Sequence, residues 1–399
     1  MRILMSTTGD LGHVLPLLPI ARACVRAGHE VKVAVPASRA AKVASLGLTC
    51  LSVGEPDFSE VSAINWATLR SSTDEANTRV YAALFGWLKP HAALPDVMAH
   101  IEAWKPALIV RENFELGSQI AAEARGLPCV RVATTLASVD DELLSIAAPE
   151  LDRLRAELGL VGVDARGATR AAPCWTPTPP TFEDPAAPPP PDSRPFRTDV
   201  ASRSRPLPRW GRESSPLVYV SLGTVAGRLE FFPDLYRAIA TALGRMPVRV
   251  LMSTGGNGDL QTLGALPSNV RVARWVDDAS IRPHAAAVVG HGGYGSVLGA
   301  LAHGIPQVIL PLFGDQPANA RRVSNVGAGL AFPEFASILA AMVEAPAVVL
   351  KDLRAMVERA LSDERLRRAA EEIACDLRAL PPVDEVLART IEQVQRRNR

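Results

Sequence analysis

The stretch that most narrows the fold is Ala285–Leu312. An apolar run, Ala285–Val289, leads into His291-Gly292-Gly293-Tyr294-Gly295-Ser296, and a second apolar run, Pro306–Leu312, follows. The short runs read as buried strands, and Tyr294–His303 between them reads as a helix. Strand, glycine turn, helix, strand is a parallel crossover unit, so the chain must build a sheet covered by helices on its faces. The turn aims backbone N–H groups and the positive end of a helix dipole at one point, which suits an anion. Glycines let the backbone approach a phosphate with no Cβ in the way. His291 adds a side-chain donor. Near the end of the second run, Asp315 and Gln316 are suited to sugar hydroxyls. Asp315 is equally suited to capping the helix that starts near Pro317. A diphosphate site one strand away from a hydroxyl-binding pair suggests a nucleotide sugar.

The first half repeats this logic. Arg2–Ser6 reads as a buried strand, Thr7–Gly12 as a glycine-containing turn and Val14–Gly28 as a helix with Leu15, Leu18, Ala21 and Val25 on one face. Glu30–Val35 is the next strand, Ala37–Leu46 a helix and Leu48–Val53 a third strand. Ligands of doubly wound sheets sit at the carboxyl ends of the strands, where His13 falls. A histidine at a helix start can simply bond backbone or water. In this crevice a neutral imidazole, kept so by the helix N-terminus, can also act as a general base. A base needs a carboxylate to orient it. Glu112, just after the apolar strand Pro106–Val110, is the candidate, and its alternative role is to open the helix Phe114–Gly126. Pro128–Ala133 is the following strand and Thr134–Pro149 reads as a loop. Its Asp140 and Asp141 read as capping or solvated rather than as a metal pair. Between them, Asp57–Leu88 is too long for a plain connection. Its aromatics, among them Trp66, Phe85 and Trp87, are either core or the lining of a cleft for a hydrophobic ligand.

Length and composition set outer limits. The 399 residues suggest two domains, and 48% hydrophobic residues allow two sizeable cores. A formal net charge of +1 gives no nucleic-acid surface. The five cysteines lack CxxC spacing and read as thiols of a reducing compartment, neither a disulfide frame nor a zinc site. Met1–Ser6 starts a strand at once, with no signal peptide, and Ala336–Leu350 is too short to span a bilayer. A soluble cytoplasmic protein, monomer or homodimer, is the expectation.

Residues 173–216 are rich in proline, including Pro188–Pro191, and read as a stiff connector. The expected division is therefore an N-terminal domain over 1–172, a linker over 173–216, a C-terminal domain over 217–380 and a final helix over 381–399. Leu217–Leu222, Val248–Ser253, Val270–Ala273 and Ala285–Val289 supply the strands of the second domain. Ser221, Gly223 and Thr224 end its first strand, and Trp275-Val276 follow another, where an indole can stack on a base or pack on nearby apolar segments. The fold class is α/β, with two Rossmann-like doubly wound domains facing across a cleft.

Taken together, Ser6–Pro16 with Gly12-His13-Val14, the Ser221-Leu222-Gly223-Thr224 strand end, Trp275-Val276 and the block His291-Gly292-Gly293 to Gly314-Asp315-Gln316-Pro317-Ala318-Asn319-Ala320 resemble the GT-B glycosyltransferases of bacterial natural-product pathways. The calicheamicin, macrolide and glycopeptide enzymes are examples. The resemblance spans essentially the whole chain, and its 290–320 block is specific. It implies an inverting, metal-independent transfer from a nucleotide sugar, with a thymidine diphosphate (dTDP) deoxysugar favoured over a uridine diphosphate sugar. The implied acceptor is a hydroxyl of a hydrophobic aglycone such as a polyketide, held by the N-terminal domain. No cofactor or metal is implied. His13 would be the base. Its acidic partner, usually aspartate in the family, is Glu112 here, one methylene longer. His291 and the N–H groups around Gly292, Gly293, Gly295 and Ser296 would stabilise the departing diphosphate. Asp315 and Gln316 would hold the sugar, Ser221, Gly223 and Thr224 the phosphate side, and Trp275 with Val276 the base side. Trp66, Phe85 and Trp87 would line the acceptor site. The final helix would cross back to the first domain.

Two other classes fit parts of the pattern. A nucleotide-sugar 2-epimerase on the same fold would need acidic residues around the sugar and no acceptor cleft. A non-catalytic sugar-nucleotide-binding partner protein would have no use for both His13 and Asp315-Gln316. A dinucleotide dehydrogenase is disfavoured, because neither glycine turn has GxGxxG spacing.

Overall fold

The computed structural model describes residues 1–68, 73–198, 207, 209–229, 232–333 and 346–397. The chain forms two compact units, one of Met1–Asp199 with Ala379–Arg399 and one of Val200–Arg378.

The first unit is built on a seven-stranded parallel sheet. Its strands are β1 (Arg2–Ser6), β2 (Glu30–Pro36), β3 (Cys50–Val53), β4 (Leu108–Glu112), β5 (Cys129–Val132), β6 (Cys174–Thr176) and β7 (Ser193–Pro195). Their order is β3-β2-β1-β4-β5-β6-β7, so the winding reverses between β1 and β4. Ile3, Leu4 and Met5 of β1 are all fully buried, which is what a parallel strand covered on both faces requires. The first helix differs from expectation. Pro16 has no N–H to give to the preceding turn, and here it separates a one-turn helix, Leu11–Val14, from Leu17–Arg26. The buried stripe of the latter is Leu17, Ile20, Ala21 and Cys24, while Leu15 and Val25 are exposed.

Other expectations in this unit need correction. The segment read as a loop from Thr134 is the helix Ala137–Glu157, which carries Pro149 inside it. The proline-rich run is not a connector over its first part. β6 and β7 extend the sheet, and Trp175, Phe182 and Phe196 are buried. The extended φ of proline is compatible with an edge strand, and Pro195 lies on the outermost one. The last helix, Val383–Arg397, packs Val383, Val386, Leu387, Ile391 and Val394 into the core of this unit. Arg26 pairs with Asp384 at 2.8 Å, and Arg194 donates to Thr390 (2.9 Å) and Gln393 (2.8 Å).

The second unit has a six-stranded parallel sheet: β8 (Leu217–Ser221), β9 (Arg249–Ser253), β10 (Val270–Ala273), β11 (Ala285–Gly290), β12 (Gln307–Ile309) and β13 (Gly329–Ala331). The order β10-β9-β8-β11-β12-β13 reverses between β8 and β11. Val218, Val220, Val250, Met252 and Val289 face the helices Phe232–Leu243 and Pro346–Ser362, which bury Leu235, Ile239, Leu353 and Val357 against them.

The docking of the final helix is open to direct test. Leu387 is 2% exposed, so Leu387→Ala removes a full side chain from a closed core. We expect it to lower the stability of the first unit by about 2–5 kcal/mol in denaturant unfolding. A loss within about 0.5 kcal/mol, the range of surface changes, would mean that the helix is not part of that core.

Candidate active site

Each sheet reverses its winding once, and in open α/β sheets that point is where a crevice opens at the strand ends. In the first unit the reversal lies between β1 and β4. The chain leaving β1 carries His13, and Glu112 is the last residue of β4. His13 Nδ1 lies 3.1 Å from Glu112 Oε2. A carboxylate only accepts, so Nδ1 carries the proton, and in the neutral ring Nε2 keeps its lone pair. Glu112 is fully buried and His13 is 23% exposed at its side chain. Glu112 also accepts from the backbone N–H of Thr8 at Oε1 (3.1 Å) and of Phe114 at Oε2 (2.8 Å). The carboxylate therefore orients the imidazole and ties the turn after β4; the helix that follows is Gly117–Ala124, not Phe114–Gly126, so Glu112 does not open it. The extra methylene relative to aspartate is taken up without losing the contact.

The electrostatics follow from this geometry. Burial alone would raise the Glu112 carboxyl, but the His13 charge and these hydrogen bonds outweigh it and hold the carboxyl below its usual range. For His13, burial pushes down, and Glu112, by charge and hydrogen bond, pushes up by more; the net direction is upward. This corrects the expectation that a helix N-terminus keeps the ring neutral. His13 lies in the last turn of its short helix, and the carboxylate dominates.

A network behind the dyad fixes the turn. Asn113 accepts from Thr134 N (2.9 Å) and Oγ1 (2.6 Å) and donates to Asp140 (3.1 Å), which pairs with the buried Arg131. Asp140 is thus a buried partner, not a solvated cap, whereas Asp141 pairs with Arg166 and Arg170. The turn places Phe114 edge-on to His13, with ring centroids 5.1 Å apart. Phe85 packs on Phe114 at 5.0 Å and so stands one ring away from the His13 imidazole. Trp87 does not. It stacks on His91 (4.9 Å) under the Arg153 guanidinium (4.0 Å), because two residues along the π-helix Val80–Leu88 point to opposite sides. Trp66 belongs to the helix Phe58–Thr68, and its side chain lies outside the described residues.

In the second unit the reversal lies between β8 and β11, and the two glycine loops meet there on one ring. A Cβ at Gly223 would come 2.6 Å from His291 Nε2, and a Cβ at Gly293 would clash with the same atom. Gly292 has φ +87°, and its own Cβ would lie 2.8 Å from Ile309. Burial pushes His291 down to about 4, against the Ser221 backbone and Asp278, so at neutral pH it is an uncharged imidazole. The N–H groups of Gly292, Gly293 and Gly295 have no acceptor among the described residues. That of Ser296 is already bonded to Gly293 O (2.9 Å), which leaves Ser296 its hydroxyl. Thr224 presents its carbonyl to Asn257 (2.7 Å). Beyond it, Gly255 closes on Gly223 and Gly256 lies under Trp275, whose indole is 56% exposed. Trp275 and Val276 line a shallow pocket of about 200 Å³ with Trp210, Arg271 and Ile281.

The sugar-binding pair divides. Gln316 Oε1 accepts from the N–H groups of Leu312 (2.8 Å) and Phe313 (3.2 Å), so only its amide NH2 is left for a ligand. Asp315 is half-buried and accepts from Asn319 (2.8 Å), which also donates to Gly292 O (2.9 Å). Asn319 therefore ties the sugar side to the glycine turn. It was visible in the motif but not as a tie, because that role depends on a fold contact across 27 residues. Phe114, Lys89 and Asn257 were likewise not legible as site residues. Among the described residues, no cluster of three or more His, Cys, Asp or Glu could hold a metal ion, and no helix is long and apolar enough to cross a membrane.

Two parallel-sheet α/β units, each with one winding reversal, are the architecture of the GT-B fold. Among solved structures, the calicheamicin glycosyltransferase CalG4 is similar, with a TM-score of 0.77 at 22% identity over 98% of both chains. So is the glycosyltransferase VinC, solved in complex with dTDP, at a TM-score of 0.75 and 24% identity over 99% of this chain and 100% of that one. Residues 22–164 and 239–393 match the N- and C-terminal domains described as erythromycin biosynthesis protein CIII-like. The L-demethylnoviosyl transferase of Streptomyces niveus is 30% identical over 397 residues, covering 96% of this chain and 100% of that protein. The chain belongs to this erythromycin biosynthesis protein CIII-like family of antibiotic glycosyltransferases.

The packing around His291 makes a prediction. Gly293→Ala forces the ring away from its slot, since Gly223 blocks the other side. In proton NMR the His291 imidazole should then titrate nearer its ordinary value of 6.5 than the parent's value of about 4. An unchanged titration would show that the loops do not confine it.

Proposed function

We propose that this enzyme transfers a sugar, with inversion, from a nucleoside-diphosphate donor to a hydroxyl of a hydrophobic aglycone. His13 is the general base. The observation that carries the reading is the His13–Glu112 pair at the first winding reversal, with Nε2 open. As the acceptor oxygen attacks the anomeric carbon, its proton passes to Nε2, and buried Glu112 stabilises the imidazolium that forms. One displacement by the acceptor oxygen inverts the anomeric centre, and no side chain is needed as a covalent carrier.

The second unit holds the donor. The N–H groups of Gly292, Gly293 and Gly295, at the start of the helix Tyr294–Leu301, meet the charge that builds on the departing diphosphate. Neutral His291 contributes a hydrogen bond rather than a charge. The Ser296 hydroxyl, Ser221, Gly223 and Thr224 complete the phosphate side. Asp315 and the Gln316 amide hold sugar hydroxyls, and Trp275 with Val276 takes the base. These donors act without a metal, and we infer that the transfer needs none. A dTDP-linked deoxysugar and a polyketide-type acceptor are the best-supported substrates, since VinC was solved with dTDP and relatives include the elloramycin glycosyltransferase ElmGT of Streptomyces olivaceus.

His13→Ala should lower turnover about a hundredfold or more while leaving donor affinity within about twofold, as expected for loss of a general base. Steady-state kinetics with dTDP-rhamnose, a 6-deoxysugar donor, and a hydroxyanthraquinone acceptor, with NMR of the product's anomeric proton, measure both rate and stereochemistry. Unchanged turnover would remove His13 from the chemistry, and a retained anomeric configuration would rule out a single displacement. Epimer formation from the nucleotide sugar alone would replace transfer by epimerisation.

A further inference from the structure

A lysine next to the dyad has no part in the roles given so far. Lys89 opens the helix Lys89–Trp104, and its Nζ lies 4.6 Å from the centroid of the Phe85 ring. Phe85 packs on Phe114 and Phe114 on His13, so the ammonium belongs to the aromatic cluster that walls the base. Its charge is felt at His13, and it in turn feels Asp10 and Glu112.

Both of those carboxylates are committed elsewhere. Asp10 pairs with Arg39 at 3.4 Å. Glu112 is taken by His13 and by the N–H groups of Thr8 and Phe114. Among the described residues, Lys89 has no hydrogen-bond or ion-pair partner, and its Nζ stands over the Phe85 ring. Lysine carries three donors and no acceptor. Partial burial of an unpaired ammonium is unfavourable, and an aromatic face returns only part of the lost hydration. Burial accordingly pulls the Lys89 ammonium below its usual value, while Asp10 and Glu112 hold it up. A half-buried cation in the aromatic cluster that reaches the base, with its donors unspent, is a seat for an anionic oxygen.

We propose that Lys89 binds an acidic oxygen of the acceptor, a phenolate, enolate or carboxylate borne near the hydroxyl that His13 deprotonates, and so selects aglycones that carry one. This rests on the first unit being the acceptor side. The ring of Phe85 fixes the lysine stem, and the ammonium then reads charge where the aromatic cluster reads only shape. A neutral aglycone of the same outline leaves the cation unpaired and binds less well.

The test uses a dihydroxyanthraquinone and its mono-O-methyl ether, with the full-length enzyme and its Lys89→Met, Lys89→Gln and Lys89→Arg variants. Met keeps the stem volume against Phe85, and Arg keeps the charge. In the parent, the free phenol should bind about tenfold or more tighter than the ether, the range of a charge-assisted hydrogen bond. That preference should vanish in the Met and Gln variants and persist in Arg, with the change in acceptor KM rather than kcat. Equilibrium binding by fluorescence quenching, repeated in a His13→Ala background, separates this idea from the base assignment. A preference retained there upholds Lys89 even if His13 proves not to be the base. Equal weakening of both acceptors, a preference that survives Lys89→Met, or a shift in donor KM in place of acceptor KM would each overturn the proposal.

Discussion

The first unit depends on keeping Glu112 charged inside the protein. A carboxylate withdrawn from water costs several kcal/mol unless its oxygens are satisfied. Here two backbone N–H groups and one imidazole satisfy them. Thr8 follows β1 and Phe114 follows β4, so the carboxylate ties together the two central strands where the winding reverses. The bonds that stabilise Glu112 also aim His13, set its tautomer and raise its basicity. Stability and chemistry are therefore not separable at this position, and breaking the pair from the histidine side would strand a buried charge.

The second unit solves a different problem. The ligand proposed for it brings the charge, so the protein supplies neutral donors: unspent N–H groups at a helix start and an imidazole that burial holds uncharged. The glycines matter because His291 fills the space where their side chains would be. Asn319 and Asn257 hold the neighbouring loops by bonding carbonyls, which leaves the N–H groups free to face a phosphate. In the proposed transfer, one unit thus stabilises a developing cation with a buried anion, and the other stabilises a developing anion with dipoles.

Much of this was legible in the sequence, for a physical reason. Buried parallel strands are apolar runs, and the turns that follow them need glycine, so β1, β4, β8 and β11 and the residues leaving them announce themselves. His13, Glu112 and His291 were found because they sit at those ends. What was not legible depended on side-chain direction or on packing. Trp87 and Phe85 are two residues apart and face different surroundings. Gln316 spends its carbonyl on a turn that no spacing reveals. β6 and β7 hide in proline-rich sequence because each is only three residues long, and β7 is an edge strand, where a proline costs few ladder bonds. Lys89 looks like an ordinary exposed lysine until the fold closes the aromatic cluster around it.

The central claim is that Glu112 sets the basicity of a catalytic His13, and the pH dependence of kcat/KM tests it most directly. A base works when unprotonated, so activity should rise with pH through the His13 pKa, which Glu112 holds above its ordinary value. Glu112→Gln keeps the side-chain length and removes the charge. The rising limb should therefore move to lower pH, with a lower plateau because the imidazolium loses its counter-charge. A limb that stays in place in Glu112→Gln would contradict the assignment of the pair as the enzyme's base.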